Sequence, residues 1–444
     1  MDGLLEVRGN RPSSMRWLVG IVVWVITLSL AAAAYAERVT LEHAVNSGHG
    51  QAYIDATMVI AEMFNNAQDE IYVEVTVLTN YDETVITRAA GGAMPDTLTS
   101  NRYGDLAGRG LLLPMDSFLE RDGLESVFVP ASLEHGRWDG ELVQLPLFAQ
   151  PAVTYYNTWL FESAGVDDPN ELAARGAWDW EALLDVGRKI ARDTTGDGIP
   201  DIYGTGGTWV SMERMVFWIG LSGGYYFDRY TKATESRFNT PEVERALTFV
   251  HSLAHEHRIT DVTGLTNMPV SKFTNGEAGV MLDGPWRIAG IRGAGMSDEA
   301  WDVAPMLAGP AGRPGFIHVD GAQISRLTRH PELAWRWLRF LATDPGATEA
   351  LMRMVNRPPA YIPTLMGYTD MIQVDGHPRH AETFWNKLIT PGEAIPISPL
   401  VPNTNQFFRV HSAEIGKFLR NEQSVTATME ILDRAFTQIL SAAN

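Results

Sequence analysis

Ile71-Tyr72-Val73-Glu74-Val75-Thr76-Val77 decides how the chain begins to fold. Its odd positions are apolar and its even positions more polar, the period-two pattern of a strand with one buried face. Upstream, Ile54, Met58, Ala61 and Phe64 are spaced for one face of a helix. Before that helix lie a strand-like stretch over 39–45 and a glycine-bearing loop, Asn46-Ser47-Gly48-His49-Gly50-Gln51. The order strand–helix–strand predicts an α/β fold with a partly parallel sheet.

The pattern continues downstream. Asp179 is placed to cap a helix with Leu183, Gly187 and Ile190 on one face. Thr240-Pro241-Glu242 is a helix start, with proline in the first turn, and Val243, Leu247, Val250 and Ala254 follow on one side. Pro331 opens another helix with Ala334, Leu338 and Leu341 inward, and 424–440 reads as a last amphipathic helix. The Pro/Gly-rich passages 307–315 and 356–363 read as surface loops or hinges.

The amino terminus speaks to location. Arg8, Arg11 and Arg16 precede an uncharged apolar run over 17–30, then Ala31-Ala32-Ala33-Ala34-Tyr35-Ala36. A basic start, an apolar middle and a small-x-small end form the layout of a secretory signal peptide over 1–36, with cleavage expected after Ala36. The rival reading is an uncleaved anchor, since the run is nearly long enough to span a bilayer. The chain contains no cysteine, which excludes disulfides, a thiol nucleophile, cysteine metal sites and a lipid-modified cysteine. With cleavage, a free periplasmic or extracellular protein is expected. The net charge of −19 repels nucleic acid phosphates, so no nucleic acid partner is expected. The 13 Trp, 13 Tyr and 17 Phe include several in turn-rich contexts, Trp138, Trp209, Trp286 and Trp385. Most read as core residues; a few beside Gly, Pro or Asp could be stacking platforms.

Several segments, in order, resemble the carbohydrate-type extracellular solute-binding proteins of ABC importers, the maltose-binding-protein-like family. Ala89-Ala90-Gly91-Gly92-Ala93-Met94-Pro95-Asp96 is similar to its turn before a strand, and Gly110-Leu111-Leu112-Leu113-Pro114-Met115 to its leucine segment. Leu145-Pro146 with Tyr155-Tyr156-Asn157-Thr158-Trp159-Leu160-Phe161-Glu162 resembles the family's Tyr-Asn block. Trp178-Asp179-Trp180-Glu181, Phe273-Thr274-Asn275-Gly276 with Gly284-Pro285-Trp286, and Ala334-Trp335-Arg336-Trp337 match further pieces. Each motif alone encodes packing and turns; seven in order cover nearly the whole mature chain.

The resemblance implies a two-lobed periplasmic-binding fold of type II, with a hinge, an interlobe ligand cleft and hinge-bending closure. It places lobe 1 at 37–150 and 301–345, and lobe 2 at 151–300 and 346–444. It implies a non-catalytic receptor that hands a carbohydrate to an ABC permease in the membrane; a monomer is expected. Two alternatives stay open. One is a secreted carbohydrate-active enzyme with two placed carboxylates, although no nucleophile elbow, His-Glu-x-x-His or P-loop is present. The other keeps the fold and changes the solute to glycerol-phosphate or a polyamine.

A sugar site needs a few oriented polar groups and flat rings in loops at the carboxyl ends of strands. Trp286, after Gly284-Pro285, matches the place where the family stacks a tryptophan on sugar; otherwise it packs at the lobe interface. His49 lies between two glycines and reads as a solute contact or a solvent-facing loop residue. Asp82 could take two hydroxyls or cap the following helix. Asn101 could bond solute or shape its turn, and Gln150 is a polar contact or an ordinary hinge residue. Trp209 is a stacking platform or a core residue. The turn at Asp320-Gly321 matches one that brings backbone near the ligand in the family, and Asp320 would add a carboxylate. Arg357, before Pro358-Pro359, would favour an anionic or uronic ligand, or serve in a surface ion pair.

One further segment, Asp193-Thr194-Thr195-Gly196-Asp197-Gly198-Ile199-Pro200-Asp201, resembles the start of an EF-hand calcium loop. Side-chain oxygens of Asp193, Thr195, Asp197 and Asp201 with the Ile199 carbonyl would hold a structural Ca²⁺. Thr195 departs from the usual Asp or Asn, and Gly204 stands where the bidentate Glu belongs. The alternative is an Asp/Gly-rich turn without metal.

Overall fold

The computed structural model describes residues 38–100, 102–207, 209–261, 270–386, 388 and 394–443. The expected signal peptide and Asn101 lie outside the described residues.

Two sheets organise the molecule. The first holds β1 (Val39–Asn46), β2 (Ile71–Leu78), β3 (Thr97–Ser100), β6 (Leu145–Pro151), β11 (Gly315–Ile324) and β12 (Ala394–Pro396). Its order is β12-β11-β3-β1-β2, with β6 antiparallel to β11. β1 runs parallel to β2 and β3, as the opening strand–helix–strand predicted. β4 (Arg137–Trp138) and β5 (Glu141–Leu142) form a small hairpin. The second sheet, in the order β10-β7-β9-β8, holds β7 (Val153–Asn157), β8 (Tyr203–Gly206), β9 (Ala278–Asp283) and β10 (Trp301–Ala304).

The main helices are α1 (Gln51–Ala67), α2 (Tyr81–Ala90), α3 (Trp180–Ile190), α4 (Met212–Leu221), α5 (Pro241–His255), α6 (Pro331–Thr343), α7 (Pro345–Val355), α8 (Thr404–Leu419) and α9 (Val425–Ala443). Their starts follow local chemistry: Asp179 accepts from the Ala182 N–H, and Asp344 from Gly346 and Ala347. The inward residues expected on α3, α5 and α6 are buried. On α1 the buried face includes Tyr53, Ile54, Ala56, Thr57, Ile60, Ala61 and Phe64; Met58, expected inward, is 45% exposed, because it falls outside the face centred on Thr57, Ile60 and Phe64.

The two sheets differ in burial, and the difference explains the sequence pattern. β2 alternates because one face meets solvent. β7, β9 and β10 are buried throughout, since a hydrophobic core lies on each side. Val153, Tyr155, Met281 and Val303 point into the first core, while Tyr156, Val280, Leu282 and Ala304 point into the second.

The chain passes between sheets first at Ala152, a single residue between β6 and β7. It returns over 305–314 and crosses again through β12, whose neighbours β11 and α8 belong to different sides. Two expected boundaries are corrected by this arrangement. β10 pairs with β7, so the return follows Ala304 rather than preceding Trp301. Segment 346–388, expected in lobe 2, contributes Leu351, Met352, Val355, Tyr368, Ile372 and Phe384 to the first core, because the apolar faces of α1 and of β10 are what its own apolar residues cover. The C-terminal helices α8 and α9 do join the second core, through Phe407, Ile415, Leu432 and Phe436.

Candidate ligand site

The strand β11 supplies the centre. His318 and Asp320 stand two residues apart and so share a face of the strand. Gln150 on β6 lies opposite His318 in register. Asp320 is 1% exposed and accepts from Gln150 Nε2 at 3.0 Å, from Arg357 Nη1 at 2.7 Å, and pairs with His318 Nε2 at 3.3 Å. Burial alone pushes a carboxyl up; His318, Arg357 and His49 outweigh it and hold Asp320 far below the usual carboxylate range. Arg357 follows the left-handed Asn356 that ends α7, which turns the chain back towards β6.

His49 closes the short turn between β1 and α1 and sets its ring edge-on to Tyr53, centroids 4.6 Å apart. Burial lowers its pKa to about 4; Asp320 pulls it up, and Arg357, His318 and Arg102 push it down. The imidazole is therefore neutral at pH 7, with one nitrogen a donor and the other an acceptor.

From the other side comes Trp286, in the turn Pro285–Arg287 after β9. Its ring folds back over Gly284, where a Cβ would come within 2.2 Å of it, so only glycine permits this pose. The Arg214 guanidinium lies over the indole at 5.3 Å, and the His318 ring meets it edge-on at 5.3 Å. Trp286 thus touches β11 of the first sheet from a turn of the second. Arg214 and Arg287 both hold the buried Asp283, at 3.0 and 2.5 Å. Next to Arg214, Glu213 takes Arg102 at 2.8 Å and the Ser398 hydroxyl at 2.7 Å. Burial raises the Glu213 carboxyl, but Arg102, Arg214 and His318 bring it down to about 2. The pair Arg102–Glu213 joins a residue after β3 to the start of α4, and so ties the two sides together.

Several buried polar atoms here find no hydrogen-bond partner among the described residues: both His49 ring nitrogens, Gln150 Oε1, Trp286 Nε1 and Arg102 Nε. Each such orphan costs about 1–3 kcal/mol when buried, and they gather on both sides of the boundary between the sheets.

Of the expected site residues, the structure brings His49, Gln150, Asp320, Arg357 and Trp286 into this group. Asp82 sits in the first turn of α2, where Asn80 and not Asp82 is the capping position; its carboxylate accepts from Asn405 at 3.4 Å at the rim. Burial first, then Asp105, raises its pKa. Two expectations are corrected. Trp209 is 2% exposed in the second core, edge-on to Trp218 at 5.5 Å, with Gly207 so close to the ring that a Cβ there would come within 2.1 Å of Nε1. Gly321 is small for strand packing, since a Cβ there would meet the Gln144 side chain at 2.4 Å and the Leu145 carbonyl at 2.7 Å. His318, Glu213, Arg214, Asp283, Arg287 and Ser398 were not singled out. The i, i+2 spacing to Asp320 could have found His318, and adjacency to Trp286 could have found Arg287; Glu213 and Ser398 carry no local signal.

The calcium-like loop is arranged differently. Asp193 Oδ1 accepts from the Thr195 and Gly196 N–H groups and Oδ2 from Gly198; Asp197 accepts from Ile199, and Asp201 from Thr194. Among the described residues no three His, Cys, Asp or Glu side chains converge to hold a metal ion. The expectation of Ca²⁺ at Asp193, Thr195, Asp197, Ile199 and Asp201 draws no support from this geometry.

With fold and site in view, the comparisons with known proteins place the chain. The pattern defining the bacterial extracellular solute-binding proteins matches residues 51–348, and the chain belongs to that family. A putative binding protein of Brucella abortus is 25% identical over 335 residues, 73% of this chain and 77% of its own. The maltodextrin-binding protein MdxE of Bacillus subtilis is 23% identical over 66% of this chain and 67% of its own. Among solved structures, the ABC substrate-binding protein Lmo0181 of Listeria monocytogenes, in complex with cycloalternan, superposes with a TM-score of 0.74 at 20% identity, covering 91% of this chain and 100% of that one. The sugar-binding protein MalE of Xanthomonas citri gives 0.74 at 18% identity over 91% and 98%. The architecture is the two-lobed periplasmic-binding fold. Among the described residues no helix is long and apolar enough to cross a membrane.

Proposed function

We propose that the protein is an exported receptor that captures a neutral carbohydrate between its lobes and delivers it to the membrane permease of an ABC importer. The observation that carries this reading is the set of unpartnered polar atoms, from His49, Gln150, Arg102 and Trp286, gathered beside one aromatic face. A sugar offers hydroxyls that both donate and accept, and an apolar C–H face for the indole; few but placed polar groups are what sets specificity in such clefts. The charges support a neutral solute. Arg102, Arg214, Arg287 and Arg357 are each paired to a carboxylate of the same site. A phosphate would need an unpaired cation, and a polyamine an excess of acids. The sugar-binding names of the relatives agree with this reading, as does their role as binding proteins rather than enzymes.

The test is a thermal-shift screen of the mature chain against mono- and oligosaccharides, sugar phosphates and polyamines, with recovery of the compound afterwards. Ligand bound only by the native state raises the melting temperature with concentration. A sugar that stabilises the protein and is recovered unchanged supports the receptor. A response to phosphates or amines alone rejects the carbohydrate, and a sugar consumed on incubation makes the protein an enzyme.

A further inference from the structure

A second cavity is lined by residues that take no part in the site described above. It measures about 520 Å³ and opens between the start of α5, the chain after α4 and the crossing 305–314. Its aromatic wall is Tyr225 and Tyr230, rings edge-to-face with centroids 4.8 Å apart. Gly223 and Gly224 belong to the lining, and the volume is ample for one sugar ring. Polar groups stand at the rim. The Thr240 hydroxyl makes no capping bond to α5 although it occupies the cap position, and Glu242 forms no ion pair among the described residues. Asp228 also lines the cavity, but its oxygens are committed to the Thr234 and Glu235 N–H groups and the Thr234 hydroxyl. Its remaining charged neighbour, Arg237, is paired to Glu235 at 2.9 Å.

Two of the crossings form part of the wall. Ala311 and Pro314 belong to 305–314, and Ile395 to β12. Tyr225 donates its hydroxyl to the Pro396 carbonyl at 3.4 Å, which fixes the aromatic wall to the same strand. Pro314 leads directly into β11, which carries His318 and Asp320. An occupant would therefore touch the segments about which the lobes must turn, without touching the residues of the cleft.

We propose that this cavity is a second binding site, taking a single neutral sugar ring against Tyr225 and Tyr230 with hydroxyls on Thr240 and Glu242, and that its occupation biases the arrangement of the lobes. The aromatic wall suits the C–H face of a pyranose, and the charged groups around it are already satisfied or single. The proposal does not depend on which solute the cleft takes. Occupancy of the hinge side and affinity at the cleft would be linked reciprocally, as any two sites coupled through one conformational change are.

The experiment uses the mature chain with Trp286→Ala, titrated separately with glucose, galactose and mannose and followed by amide chemical shifts. At least one hexose is expected to give a saturable change centred on Gly223, Gly224 and Glu242. Adding Ala311→Trp, a substitution at an exposed rim position, is expected to weaken that binding at least tenfold while leaving the melting temperature unchanged. Small-angle scattering of the Trp286→Ala protein with saturating hexose is expected to show a changed radius of gyration that the double variant does not show. No saturable response to any of the three hexoses, or an equal response in both variants, overturns the site. Binding without any change in the radius overturns the coupling. A failure of the cleft reading would show differently, as a wild-type protein whose sugar response is untouched by Trp286→Ala.

Discussion

The cleft around Asp320 and the loop 193–201 both gather polar side chains, and they satisfy them in opposite ways. In the loop, the carboxylates close on N–H groups a few residues away, so the segment completes itself. In the cleft, Asp320 is met by Gln150 and Arg357, from segments 170 and 37 residues away in sequence, and several neighbouring donors and acceptors are left without partners. A self-satisfied turn shapes the surface; a buried group left incomplete by the protein is what a polar ligand can complete.

The largest expected consequence follows from burial. Asp320→Ala would leave Arg357 without its carboxylate in a site where both side chains are mostly shielded, a change that costs about 3–5 kcal/mol, read as a fall in the denaturant midpoint. A loss below about 1 kcal/mol would mean that the cleft is wetter and looser than its geometry says.

The acid response sharpens the same contrast. The folded-state value of Glu213 is depressed from 4.5 to about 2. Its contribution to stability is therefore complete above about 4.5 and is lost as pH falls towards about 2. Glu213→Gln is expected to flatten the stability–pH curve of the chain in that window, measured by chemical denaturation at a series of pH values. His49 acts in the same direction in a higher window: lowered from 6.5 to about 4, it disfavours the folded state progressively as pH falls through that range. The smallest effect belongs to the loop. Asp193 is also held below the usual range, first by the Gly196 N–H and then by that of Gly198, but it is exposed. Asp193→Ala should shift the melting temperature far less than Asp320→Ala and leave sugar binding untouched; an equal loss in both variants would erase the comparison.

These two regions also show what a sequence exposes. The loop was legible because all its participants are neighbours in the chain, and its Asp/Gly alternation could be read directly; whether its oxygens turn to a cation or to the backbone is a matter of geometry. The parallel opening β1–α1–β2 was legible for the same reason, its periods being local. Trp286, Asp320, His49, Gln150 and Arg357 could each be picked out from a loop, a glycine or a proline beside them. That Arg102 would meet Glu213 across 111 residues, with Ser398 completing the contact, has no local trace. The two-faced burial of β7 hid a boundary in another way: Tyr155 and Tyr156 are adjacent in sequence yet lie in different cores. The mixed sequence of 346–388 likewise gave no sign of which core its apolar residues would cover.

The central claim is that groups from both lobes converge on one carbohydrate with Trp286 as its platform. It is tested most directly by titrating the best stabilising sugar against the wild-type protein and Trp286→Ala, with binding followed by calorimetry and folding checked by thermal melting. The account predicts an unaltered fold and an affinity reduced at least tenfold, about 1.4 kcal/mol or more. A Trp286→Ala protein that binds the sugar as tightly as the wild type would contradict it.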